Sequence, residues 1–413
     1  MINILLISDI HITSNGTPED QGQVLKAFKE DIEKHLQGQN YADNYCIIAG
    51  DLTQDGLSKS YDYFHKNIIS SLLKLMPLEN IYVTPGNHDL NRKNVGLHKE
   101  EIEKLLSEKY NEKDFNDLLE GMKKGPLISK FKGFSDYVKD QLNIQSFDLW
   151  GYYVNPIPTV SICLLNSAIC SWGGFNDIDD SGHLRLSTRI LNNWIQNNKF
   201  RKKILIIHHP LSDLTYELNN EITKLIESDI DVFINGHAHF DKVHHTKVDN
   251  RSYLHFQTPQ LFSNKNDDNA YAVIHIDKDS GQINDILFRQ WVERRKCFSN
   301  GILFAEDGIY KNEEFLIKTE DSVEVDLFDR FNDSLKSYAM LPEWRERYLD
   351  ENSPTHQTSD SGSWDYLRIL SDTSNFQICA PAQFGLTCFA QYLSLKAWQL
   401  KEEHWVYVDI YNI

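Results

Sequence analysis

The chain lacks most of what would mark a membrane protein, a nucleic-acid coat or a disulfide-stapled domain. Its 413 residues carry 42 Lys and Arg against 60 Asp and Glu, a formal charge of −18. It therefore has no cationic surplus with which to grip phosphate backbones regardless of sequence, although a local basic groove is compatible with that balance. No apolar run approaches the roughly 20 residues that span a bilayer. The six cysteines, Cys46, Cys163, Cys170, Cys297, Cys379 and Cys388, are scattered and show no C-x-x-C spacing. That excludes a zinc-thiolate framework and fits a reducing cytoplasm. The first residues show neither a basic leader nor a small-residue cleavage site. At 41% hydrophobic and 25% charged the composition is that of a globular protein rather than a disordered or collagen-like one, and no internal repeat is visible.

What is present is a regular alternation of short β-rich apolar runs with longer amphipathic segments, from residue 3 to about 289. This is the pattern of a layered α/β protein. Strands are expected at 2–8, 46–49, 81–84, 149–154, 160–165, 204–207, 232–235, 252–256, 272–276 and 285–289, most of them bounded by Gly, Pro, Asn, Asp or Ser. Helices are expected at 21–36, 58–75, 186–198 and 219–227. A Lys- and Glu-rich stretch, about 95–145, reads as an inserted helical cap. The character changes after 295: residues 296–413 hold 10 Lys and Arg against 20 Asp and Glu. The expected organisation is thus a domain at 1–295 and an acidic C-terminal unit at 296–413, with a polar linker at about 350–363.

Five short clusters repeat one arrangement, in which an apolar strand ends and metal-binding side chains follow at once. They are Asp9-Ile10-His11, Gly50-Asp51, Gly86-Asn87-His88-Asp89, His208-His209-Pro210 and Gly236-His237-Ala238-His239. Ligands at the carboxyl ends of adjacent strands converge on one crevice in open α/β sheets. The set mixes oxygen and imidazole donors without any thiolate, a combination that suits Mn, Fe or Zn. Glycines let the backbone turn sharply beneath such a site. Singly, each cluster is a common turn or cap; it is their joint order that carries weight.

In that order, D-x-H, G-D, G-N-H-D, H-H-P and G-H-x-H resemble the calcineurin-like metallophosphoesterase family over roughly residues 1–290, and their style is closest to its cyclic-nucleotide phosphodiesterase branch. The resemblance implies a β-sandwich flanked by helices and a centre of two divalent ions, Mn foremost, with Fe or Zn as the alternatives. It implies Asp9, His11 and His239 on one ion, Asn87, His208 and His237 on the other, and Asp51 bridging both. The implied reaction is hydrolysis of a phosphodiester by in-line attack of a metal-bridging hydroxide. His88 is then placed to contact the phosphate and protonate the leaving oxygen, with Asp89 orienting its imidazole, and Asn87 and Arg92 complete the substrate contacts. His209 is expected to be structural, since the family pattern uses the first His of the pair.

Other residues take the plainer reading first. His244 and His245 are expected to be exposed after the G-H-x-H turn, while His255 and His275 pack within strands. In the cap, Lys123, Lys124, Lys130 and Lys132 interleave with Phe131 and Phe134, which makes them a candidate basic and aromatic wall for a nucleotide or single strand. The stretch 374–413 resembles the opening βαβ of a P-loop signal-transducing NTPase with a degenerate phosphate loop. There Ala380 replaces the first glycine and Leu386 the lysine.

The expected function is a dinuclear metal phosphodiesterase acting on a nucleotide-type substrate, without a membrane partner. Two alternatives differ in class. One is a nuclease effector of a larger NTPase-linked defence protein, which would make the chain oligomeric or part of a longer polypeptide. The other is an assembly module with a vestigial metal site.

Overall fold

A computed structural model describes residues 1–311 apart from 16–17, 98–99, 101–114, 118, 120–124, 174–179, 238–242, 249–250 and 263–268. Its strands are β1 (Ile2–Ile7), β2 (Asn44–Ala49), β3 (Ile81–Thr84), β4 (Gly151–Ile157), β5 (Val160–Leu165), β6 (Lys202–Ile207) and β7 (Val232–Asn235). They continue with β8 (His244–Val248), β9 (Arg251–Gln257), β10 (Ala270–Ile276), β11 (Ile283–Val292), β12 (Cys297–Asn300) and β13 (Ile309–Lys311). One sheet runs β12-β11-β10-β1-β2-β3, with β13 also on β11, and the other runs β4-β5-β6-β7-β9-β8. Within the first, β1, β2 and β3 are parallel; within the second, β5, β6, β7 and β9 are.

The two sheets are buried on both faces, which is why β1, β2, β5 and β6 are near-continuous apolar runs rather than alternating ones. Leu5 and Ile7 of β1 point to the helix side, into a cluster with Val24, Phe28 and Ile32. The intervening Ile4 and Leu6, also fully buried, must by strand alternation face the other way. Phe256 of β9 meets Phe288 of β11 edge-on at 6.3 Å, a ring contact from one sheet to the other. The helix Glu19–Leu36 covers the first sheet through Val24, Phe28, Ile32 and Leu36, one apolar stripe at four-residue spacing. The helices Thr188–Asn197 and Tyr216–Asp229 cover the second through Leu191, Trp194, Leu218, Ile222 and Ile226. The architecture is the expected mixed α/β sandwich flanked by helices.

One buried ion pair ties the layers together. Arg289 of β11 donates from Nε to Asp31 Oδ2 at 2.8 Å and from Nη2 to Oδ1 at 2.9 Å, while Tyr271 of β10 donates to the same carboxylate at 2.7 Å. The fork geometry satisfies both carboxylate oxygens, which a buried charge requires.

The structure departs from the sequence expectations in three places. The compact unit that holds these elements runs Met1–Glu313, where the sequence placed a boundary after residue 295. Both β12 and β13 pair with the long strand β11 and complete its sheet. His244 and His245 form the edge strand β8 against β9 and are half-buried rather than exposed. In the cap, Leu127 and Phe131 pack against Leu90, Trp150 and Trp172, and Phe134, Tyr137, Val138 and Leu142 join the core beside the first sheet. The linker at 350–363 and the P-loop-like stretch at 374–413 lie outside the described residues.

Candidate metal centre

Because β1, β2 and β3 run parallel in one sheet and β6 and β7 in the other, their carboxyl ends deliver Asp9, Asp51, Asn87, His208 and His237 to one rim. The rim is stitched by main-chain bonds: the amides of Ile10 and His11 donate to Asp51 O at 2.9 and 3.1 Å, and Gly236 N donates to His208 O at 2.8 Å. Among the described residues, three groups of side chains each bring their ligand atoms within 4.8 Å of one another: Asp9, Asp51 and His208; His11, Asp51 and His88; and His208, His209 and His237. Asp51 belongs to two of these and His208 to two, so the pair sits at the centre of the cluster.

The backbone is strained where the ligands are. Among the described residues seven non-glycine residues have positive φ, and four of them are Asp9 (53°), His11 (53°), Asp51 (53°) and His237 (65°). Left-handed backbone costs on the order of 1 kcal/mol per non-glycine residue and persists only where the surroundings impose it. The motif glycines give the room: a Cβ at Gly50 would land on the His208 imidazole, and one at Gly86 would land on the Asp51 carboxylate and within 2.7 Å of His208 Nε2.

The polar atoms at the centre are left over by the protein's own hydrogen bonds. His208 uses Nδ1 on Ala49 O at 2.8 Å, which turns Nε2 inward, 3.4 Å from Asp51 Oδ2. His11 Nε2 lies 3.8 Å from both Asp51 Oδ2 and Asp9 Oδ1. His208 Nε2, Asn87 Oδ1 and His209 Nε2 are buried with no hydrogen-bond partner. Buried donors and acceptors without partners are costly. Two carboxylates and several imidazoles gathered within 4.8 Å of one another, beside a buried amide oxygen without a partner, are instead the donor set of a divalent ion such as Mn, Fe or Zn. The residues fit a metal.

Electrostatics agree with that reading. Burial alone would raise the Asp51 carboxyl, but His208, His88 and His11 hold it well below the usual range. For His208, burial opposes the proton and the Asp51 carboxylate outweighs it, carrying the group up to about 10. His237 is pushed down to about 4, by burial first and then by His208. Such opposed neighbours crowded into one crevice are typical of a functional site.

His88 and Asp89 divide differently from the expectation. The His88 backbone N–H donates to Asp51 Oδ1 at 2.8 Å, which leaves Oδ2 facing His208 and His11. Its ring stands edge-on to His11 at 4.8 Å, and burial lowers its pKa. Asp89 does not orient that ring. Its fully buried carboxylate accepts from Leu52 N at 3.1 Å, Thr53 N at 3.0 Å, Gly86 N at 3.1 Å, Thr53 Oγ1 at 3.2 Å and the Tyr61 hydroxyl at 3.1 Å. It clasps the Gly50-Asp51 loop to the Gly86-Asn87 loop. Burial and the nearby Asp51 raise it to about 6. The group that does face His88 is Gln54, whose Nε2 lies 2.9 Å from Nδ1. Sequence reasoning did not single it out, although it sits three residues after Asp51 in the same loop.

Arg92 is exposed at the rim, with Nη2 3.4 Å from His88 Nδ1. His209 is buried, takes its Nδ1 contact from Ser167 Oγ at 2.8 Å, and has its ring 4.8 Å from that of His237. His239 lies outside the described residues, as do Lys123 and Lys124. The basic and aromatic wall does not form from the rest. Lys130 is fully buried and donates to Ser171 O at 2.8 Å, Phe131 and Phe134 are core residues, and Lys132 pairs with Asp136 at 2.6 Å. The helix turns bury Lys130, Phe131 and Phe134, and Lys132 stays exposed in its pair with Asp136.

Among the described residues no helix is long and apolar enough to cross a membrane. No curated protein sequence matches the chain. Among solved structures it is similar to the sulfate thiohydrolase SoxB of Thermus thermophilus, at 11% identity and TM-score 0.34 over 70% of this chain and 56% of that one. It thus spans little more than half of the SoxB chain. It is also similar to Vps29 of Entamoeba histolytica complexed with zinc, at 11% identity and TM-score 0.28 over 71% and 94% of the two chains. A third is a predicted phosphoesterase of Streptococcus pneumoniae, at 10% identity and TM-score 0.27 over 75% and 98%. The family model of calcineurin-like phosphoesterases matches residues 2–241, more than half of the chain and all five motif clusters. The chain belongs to the calcineurin-like phosphoesterase family.

Proposed function

We propose that the protein is a dinuclear metal phosphodiesterase acting on a nucleotide-type diester. Asp9, His11 and His239 would hold one ion and Asn87, His208 and His237 the other, with Asp51 shared between the two sites and Mn as the preferred metal. The observation that carries this reading is the crowding of Asp9, His11, His88 and His208 ligand atoms around the Asp51 carboxylate, with His208 Nε2, 3.4 Å from Asp51 Oδ2, and Asn87 Oδ1 buried and without hydrogen-bond partners. When bound, the ions supply Lewis acidity to the phosphoryl oxygens and a water nucleophile active at neutral pH. The chain's own residues do the positioning. The amide of His88 fixes Asp51, Ala49 O fixes the His208 ring, and Asp89 holds the two ligand loops together. The His88 side chain donates a hydrogen bond to the phosphoryl group or leaving oxygen, and Arg92 at the rim contacts a phosphate oxygen.

The acidic net charge and the burial of Lys130 in the cap favour a small diester over a polymer. Metal analysis and hydrolysis of bis-p-nitrophenyl phosphate and p-nitrophenyl phosphate with added Mn test the reading. Two ions per chain and preferential cleavage of the diester are expected, with Asp51→Asn losing metal and turnover and His88→Ala keeping metal but losing rate. One ion per chain would overturn the dinuclear assignment, and preference for the monoester would overturn the diesterase. Cleavage of cyclic nucleotides against single-stranded DNA then separates the small-diester enzyme from a nuclease.

A further inference from the structure

Which nitrogen of His88 can face a substrate as a donor depends on the side chains that contact the other nitrogen. This argument rests on the reading that a phosphoryl group binds beside His88. A neutral imidazole has one N–H and one lone pair, and the neighbours of one nitrogen fix the state of the other. His88 Nδ1 faces two groups. One is Arg92 Nη2 at 3.4 Å, and a guanidinium can only donate. The other is the Gln54 side chain at 2.9 Å. An amide can present either its oxygen or its NH₂, and the assignment between them follows from the surrounding network. With a guanidinium aimed at the same nitrogen, an N–H on Nδ1 would oppose it, so Nδ1 carries the lone pair and Gln54 presents its NH₂. The group next in sequence that could have taken a proton from Nδ1, the Asp89 carboxylate, is spent on the amides of Leu52, Thr53 and Gly86.

We propose that Gln54, with Arg92, locks His88 in the Nε2–H tautomer, so that a neutral imidazole offers Nε2–H to the phosphodiester. Gln54 is a positioning residue, acting through His88. Its own place is fixed by the main chain, since Gln54 N donates to Ile12 O at 2.9 Å beside the Ile12–Thr53 bridge. The chain thereby uses an amide and a guanidinium where a carboxylate would have set the opposite tautomer.

The test is nitrogen NMR of the full chain with ring-¹⁵N histidine, metal-free, at a pH where His88 is neutral, the His88 signals being identified by their loss in His88→Gln. The wild type is expected to show Nδ1 in the unprotonated range and Nε2 in the protonated range. In Gln54→Glu the carboxylate accepts from Nδ1, so Nδ1 is expected to move into the protonated range. Gln54 is a partly exposed side chain, and this variant is expected to melt as the wild type does. A wild-type Nδ1–H, or a Gln54→Glu spectrum with Nδ1 still unprotonated, overturns the proposal. The readout needs neither metal nor substrate, so it stands or falls separately from the diesterase assignment.

Discussion

The backbone N–H of His88 donates to Asp51 Oδ1 at 2.8 Å, so the loop after β3 fixes the carboxylate at the end of β2. The Asp51 carboxylate is aimed by a neighbouring strand's main chain, and its other oxygen is left to His208 and His11. The close approach that allows this depends on Gly86.

Gly86→Ala is therefore expected to abolish metal binding while the rest of the sandwich folds. The added Cβ would collide with the Asp51 carboxylate and come within 2.6 Å of its backbone nitrogen. Displacing a group that orients a ligand costs about 10- to 100-fold in metal affinity, and displacing the ligand itself costs at least that. Isothermal titration with Mn or Zn reads the loss, and unchanged affinity would contradict the geometry.

Asp89→Asn is expected to destabilise the metal-free protein, by about 2–4 kcal/mol, because an amide NH₂ would meet backbone donors that now share two acceptor oxygens. Denaturant unfolding in chelator measures it. An effect on turnover with no effect on stability would instead restore Asp89 to the role of orienting His88.

Metal is expected to raise stability, because the ligand atoms without partners gain them on binding. For one site, ligand at a hundredfold excess over its Kd adds about 2.7 kcal/mol. A thermal melt with and without Mn should show the gain in the wild type and little of it in Asp51→Asn. Equal gains in both would place the ions elsewhere.

Lys130 gives a pH dependence of known sign. Burial pushes its ammonium down to about 8 from the ordinary 10.5. Between those values the unfolded chain holds more protons than the folded one, so stability rises with pH through that window. Below pH 8 the full cost of the buried charge is present, and it is relieved as the group loses its proton. The wild type is expected to gain about 1–3 kcal/mol relative to Lys130→Met between pH 7.5 and 10. Parallel unfolding curves at the two pH values would show that Lys130 is not buried as a charge.

Much of this protein is legible in its sequence. β3, β5 and β7 occupy the expected residues, and the fully buried strands announce themselves as apolar runs because both faces are covered. Asp9, His11, Asp51, Asn87, His208 and His237 could be picked out because each follows such a run in a fixed motif. Short polar edge strands such as β8, β12 and β13 carry no comparable signal. They exist because a longer neighbour offers unpaired backbone groups.

Local pattern thus determined where the strands end and which donors stand there, since both follow from residues adjacent along the chain. Only the tertiary structure decided what those donors face. It turned Asp89 away from His88 to the amides of Leu52, Thr53 and Gly86, set Gln54 against the His88 ring and buried Lys130 within the cap. Those partners are brought together by sheet register and helix packing, across separations of up to some forty residues. Hydrogen-bond direction at such distances is set by how the layers pack, and no short stretch of sequence encodes it.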